Sequence, residues 1–116
     1  MLKMNNDLEG ALKEYISLLN KEEYFEAHEV LEEAWHPLRI ENSYLKNLVK
    51  GLINGAVSFE HLKRNRSKSK ESARKVMVSF DKHKHLYNEN IEHAKLFKEA
   101  CDIIEKLKSL NNKIYY

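Results

Sequence analysis

A chain of 116 residues with a formal charge of +2 has room for one domain with one core, and so small a net charge implies no polyanionic partner by itself, leaving that question to the distribution of charge. Three glycines and one proline leave few turn signals, so the unpunctuated runs of Leu, Lys, Glu and Ala point to helices. The lone cysteine, Cys101, excludes an intramolecular disulfide, and no apolar run is long enough to cross a bilayer.

Five amphipathic segments follow from the apolar spacing. The first, about residues 7–20, places Leu8, Ala11, Leu12, Tyr15, Leu18 and Leu19 on one face behind Asp7 as N-cap. The second begins at Lys21 or Tyr24 and is expected to stop at His36, because Pro37 disfavours helical geometry in the residue before it. Only a short turn at Asn20 separates the two, which predicts an antiparallel pair. The third, about residues 43–63, is capped by Ser43 and apolar around most of its circumference, as a central helix must be. After a polar break at residues 65–69, the fourth (about 70–87) carries Ala73, Val76, Met77, Phe80 and Tyr87 on one face. The fifth (about 90–110) carries Ala94, Phe97, Cys101, Ile104 and Leu107, which makes Cys101 a structural thiol. The tail NNKIYY reads as frayed, or as docking its tyrosines on a partner. The fold class is all-α: one domain, a bundle or helical array of about five amphipathic helices.

Within the second segment, FEAHEVLEEAW, a wheel at about 100° per residue sets His28 and Glu32 between Phe25 and Trp35, inside the apolar arc. Both are expected to be at least partly buried. A buried unpaired carboxylate costs several kcal/mol, about 3 to 5 when a partner is removed, so Glu32 needs a proton, a hydrogen bond or a coordinated ion, with His28 its nearest candidate partner. Glu26, Glu29 and Glu33 project from the opposite side. On the third segment Asn54 and His61 are two turns apart and point the same way, beside Lys50 and Val57. Turning that stripe toward the second helix gathers His28, Glu32, Asn54 and His61 under Trp35 and Tyr24. Three readings stay open: a divalent transition metal on His28, Glu32 and His61 with an open position for water; a satisfied hydrogen-bond network that fixes helix register; or a metal-free pocket, with Tyr24, Trp35 and Asn54 as walls, for a small polar or anionic ligand.

His28, Glu32 and Trp35 match the HxxxExxW motif of domain-of-unknown-function family 309, a bacterial and archaeal family that the chain resembles from about Leu8 to Leu86. The strings YFEAHEVLEEAW and GLINGAVSFEHL carry the resemblance. It implies an all-helical fold, no assigned activity, and metal binding through the motif.

Other motifs fail on chemistry. His28, Glu29 and Glu32 spell HExxE, without the second histidine of a zincin. A di-iron carboxylate site needs ExxH on two helices, and only Glu33 to His36 supplies one. Gly51 and Gly55 lie inside an apolar helix and read as close-packing positions instead of a phosphate loop. Charge is unevenly spread: residues 22–41 hold seven glutamates against one arginine, and residues 63–75 hold seven basic residues against one acid. Phe59 and Phe80 near the basic run belong to core faces and offer no stacking platform, so nucleic acid is not the expected partner. His83 and His85 diverge on a helix and read as surface residues. The expected protein is a cytoplasmic metal- or ligand-binding domain, since MLKMNNDLEG lacks the apolar stretch of a signal peptide. The alternative is a non-catalytic interaction module, with its acidic and basic faces suited to a homodimer.

Overall fold

Apolar residues at three- and four-residue spacing become helices throughout the computed structural model, which describes residues 7–116. The helices are α1 (Leu8–Asn20), α2 (Tyr24–Ile40), α3 (Lys46–Arg64), α4 (Ser69–His83), α5 (Ala94–Leu110) and the short α6 (Asn112–Tyr115), with a 3-10 turn at Lys84–Leu86. No strand occurs among the described residues. No helix among them is long and apolar enough to cross a membrane.

The breaks are made without glycine. Glu22, Asn42, Asn65 and His93 hold left-handed φ values of 61°, 55°, 52° and 57°, a region costing an L-residue about 1 to 2 kcal/mol. At the first two, the chain closes the preceding helix by donating from Glu23 N to Leu18 O (2.9 Å) and from Ser43 N to Leu38 O (2.8 Å), the backbone pattern that satisfies last-turn carbonyls. Those bonds offset the strained φ.

Contrary to the sequence expectation, α2 does not stop at His36 but continues through Pro37 to Ile40. Proline fixes φ near the helical value and removes one amide donor; tertiary contacts hold the added turn. The Trp35 indole Nε1 donates to Lys46 O at 3.1 Å, tying that end of α2 to the start of α3. The later boundaries shift as far: the fourth helix stops at His83, four residues before the expected end, and gives way to the 3-10 turn, and α5 begins at Ala94, after left-handed His93.

Helix α3 is the central element. Its Leu48, Val49, Leu52, Ile53, Ala56 and Phe59 are buried, covered mainly by α4 and α2 with α5 also against it, while α1 lies on α2 and α5. The buried Tyr15 hydroxyl of α1 donates to Leu52 O. A Cβ at Gly51 would lie 3.3 Å from the Phe80 backbone, and one at Gly55 would lie 3.1 Å from Ile104 Cδ1, so the two glycines admit α4 and α5 as their placement in the sequence implied. Burial pushes the half-buried Cys101 thiol up to about 12, which keeps it protonated and inert.

The C-terminal tail docks on its own chain. The Tyr115 hydroxyl is 2.7 Å from Ser58 Oγ, and its ring meets Phe59 edge-on at 5.8 Å. Tyr116 lies under the Lys108 ammonium, 5.1 Å from ring to nitrogen. Lys108 is only 3% exposed and pairs with Asp81 at 2.6 Å, while Lys84 reaches Glu105 at 2.8 Å. This four-charge cluster links α4 and the 3-10 turn to α5.

Candidate functional site

The contacts between α2 and α3 fix an antiparallel register. At one end Trp35 bonds Lys46 O and carries the Lys50 ammonium 4.4 Å from its ring. At the other, Tyr24 packs on Phe59 at 5.6 Å and Lys63 Nζ donates to Glu22 O at 2.8 Å. Asn54, one turn after Lys50, is thereby carried toward Glu32 and His28. His61 is carried past them.

His28 and Glu32 are both half-buried. The Phe25 ring, itself 40% exposed, meets the imidazole edge-on with centroids 5.2 Å apart. The His28 Nδ1 atom is buried and has no hydrogen-bond partner, an arrangement costing about 1 to 3 kcal/mol. No hydrogen bond or ion pair joins His28, Glu32 and Asn54 to one another among the described residues. The interhelical network foreseen as one reading is therefore not made by these side chains. Glu32 escapes the penalty of an unpaired buried carboxylate because it lines an open cleft of about 330 Å³ with Glu29, Glu33 and His36. Glu29 and Glu33 thus share a surface with Glu32 instead of lying opposite it, a neighbourhood written in the i, i+3 and i, i+4 spacing of these four residues.

Trp35 has a structural task as well as a place beside the site. Its indole is held by Lys46 O, with the Lys50 ammonium at 4.4 Å and the Arg39 guanidinium at 5.4 Å from the ring. Cation–π pairs of this kind contribute about 0.5 to 1 kcal/mol each at exposed positions. Arg39 is the i, i+4 neighbour of Trp35 and follows from helical spacing alone, whereas Lys50, expected only beside Asn54 and His61, reaches Trp35 through the α2–α3 register.

The remaining expected members lie elsewhere. His61 lines a cleft of about 310 Å³ with Arg66, Ser67, Lys68, Ser69 and Ser72, where the α3–α4 connection begins. Tyr24 lines a third cleft, of about 340 Å³, with Phe59, Leu62 and Leu107 among its walls. Eleven residues of helix separate Tyr24 from Trp35, a rise of about 16 Å, so they cannot roof one cluster. Among the described residues no group of three or more His, Cys, Asp or Glu is placed to hold a metal ion. The metal set His28, Glu32 and His61 is accordingly not assembled, because the antiparallel crossing sets His61 level with the start of α2. His28 and Glu32, one turn apart, remain as two donors suited to a divalent metal, an imidazole nitrogen and a carboxylate oxygen.

The family model described as "Domain of unknown function (DUF309)" matches residues 12–73, from the core of α1 to the first turn of α4. Neither a curated protein nor a solved structure matches the chain.

Proposed function

The chain belongs to the DUF309 family, and from that premise we propose that it is a small helical ligand-binding domain whose site is the His28, Glu32 and Trp35 edge of α2 with Asn54 beside it. The observation that carries this reading is the buried, unpartnered His28 Nδ1. A folded chain rarely leaves such an atom unsatisfied, and a ligand that engages it recovers the cost. Glu32, open to the adjoining cleft, supplies a negative charge one turn away, which favours a cationic ligand, a divalent transition metal foremost. His28 and Glu32 would hold that ion and leave its other positions to water or a second ligand. When bound, it would supply Lewis acidity and a water of lowered pKa. A cytoplasmic location goes with this reading.

Thermal unfolding with a panel of divalent metals and small metabolites tests the proposal. A ligand present at about 100-fold over its Kd stabilises by about 2.7 kcal/mol. The rise in Tm should vanish in the His28→Leu/Glu32→Leu double variant and persist in His61→Ala. A parent protein that no member of the panel stabilises would end the reading.

A second reading draws on the cleft of Glu29, Glu32, Glu33 and His36, an acidic surface suited to a basic partner segment. Residues 63–75, with seven basic side chains, make a second copy of the chain one such partner. Sedimentation at rising salt decides it: self-association that weakens with salt supports the dimer, and a monomer at low salt removes it.

A further inference from the structure

The cleft between the start of α2 and the ends of α3 and α5 has a composition unlike that of the His28 edge. Its floor is apolar: Tyr24 is 8% and Phe59 3% exposed, their rings are 5.6 Å apart at 46°, and Leu62 and Leu107 complete it. Its rim carries both signs of charge. Lys63 Nζ stands 6.0 Å from the Tyr24 ring centre and spends one of its three donors on the main-chain oxygen of Glu22, at 2.8 Å. No carboxylate pairs with that ammonium among the described residues. Glu22 likewise lines the cleft, and no cation pairs with its carboxylate among the described residues. Burial, and after it the charge of Glu22, raise the Tyr24 phenol above its usual range, so the hydroxyl stays protonated and can donate. Asn111, also on the rim, donates its amide nitrogen to Leu107 O at 2.9 Å and keeps its side-chain oxygen as an acceptor.

We infer that this cleft binds a free α-amino acid with an apolar side chain. The side chain lies on Tyr24, Phe59 and Leu62; the α-carboxylate meets Lys63 and the Tyr24 hydroxyl; the α-ammonium meets Glu22 and the Asn111 oxygen. A ligand bearing one charge would leave the opposite rim charge unanswered, whereas a zwitterion answers both. The volume of about 340 Å³ is at the small end of ligand pockets, which suits a molecule of this size. The site is separate from the His28 edge, and neither reading depends on the other.

The test is a titration of the isotope-labelled chain, followed by proton–nitrogen and methyl spectra, with phenylalanine, phenylpropionate, which lacks the ammonium, and phenethylamine, which lacks the carboxylate. Phenylalanine should shift the resonances of Leu62, Lys63 and Leu107 saturably, and each analogue should bind about tenfold more weakly, the value of one charge-assisted hydrogen bond. Lys63→Met should abolish the preference for phenylalanine over phenethylamine, and Glu22→Gln its preference over phenylpropionate. His28→Leu should change neither. Both rim residues are solvent-exposed, so these variants fold. Three ligands that bind alike, shifts that map to α2 around His28, or no saturable shift at millimolar phenylalanine would each overturn the assignment.

Discussion

Replacing His28 with leucine should leave the free protein as stable as the parent or make it more so. In the parent, Nδ1 is buried and unpartnered, which costs about 1 to 3 kcal/mol. The imidazole also makes the edge contact with Phe25, and an aromatic pair of this kind contributes about 0.5 to 1.5 kcal/mol. Leucine removes the first quantity, forfeits the second, and keeps a side chain of comparable bulk against half-exposed surroundings. The net change runs from about 0.5 kcal/mol of destabilisation to about 2.5 kcal/mol of stabilisation, centred on a gain of about 1 kcal/mol. Urea unfolding followed by far-ultraviolet circular dichroism reads this as an unchanged or raised midpoint at constant slope. Destabilisation by more than about 1 kcal/mol would refute the reasoning, because it would mean that His28 is held by hydrogen bonds that stabilise the fold and is not held in reserve for a ligand.

Gly51→Val should destabilise by about 1 to 3 kcal/mol, since its Cβ would meet the α4 backbone at 3.3 Å; a urea midpoint equal to the parent's would show that α4 can retreat freely. Burial lifts the Tyr115 phenol to about 12, against the lowering effect of its Ser58 hydrogen bond. An ordinary tyrosine ionises near 10, so the folded state holds this proton more tightly than the unfolded one. Its contribution is whole below pH about 10 and is lost as pH climbs through about 12, a fall that pH-dependent melting should show diminished in Tyr115→Phe. The basic run of residues 63–75 should bind nucleic acid only weakly and without sequence preference, because Phe59 and Phe80 are buried and offer no stacking surface. Submicromolar binding at physiological salt, lost on neutralising Lys63, Arg64 and Arg66, would contradict that.

Much of the fold is legible in the periodicity. The apolar stripes that mark the five longer helices are the faces found in the core, and the all-round apolarity of residues 45–62 marks α3 as central. Helix ends were less legible, and for identifiable reasons. Glu22 and His93 adopt left-handed φ although neither residue type announces it, and Pro37 is carried inside α2 by contacts that only the folded chain supplies. Tyr115 and Tyr116, ambiguous in sequence, are claimed by Ser58, Phe59 and Lys108. For the site, residues on one helix are related by angle alone, and α2 runs unbroken through His28, Glu32 and Trp35, so their i, i+4, i+7 spacing is kept. Relating them to α3 requires the crossing register, and a periodicity contains none. Asn54 and His61 point the same way, yet seven residues of rise, about 10 Å, separate them along α3, and His61 lines a different cleft from Glu32.

Imidazole nitrogen-15 spectroscopy observes the buried, unpartnered His28 Nδ1 directly. Long-range proton–nitrogen spectra of the six histidines recorded while zinc is added should show the His28 Nδ1 resonance move to a metal-bound shift at one equivalent, with His61, His83 and His85 unaffected. A His28 resonance that stays fixed while zinc is bound elsewhere, or while no histidine responds, would contradict the account.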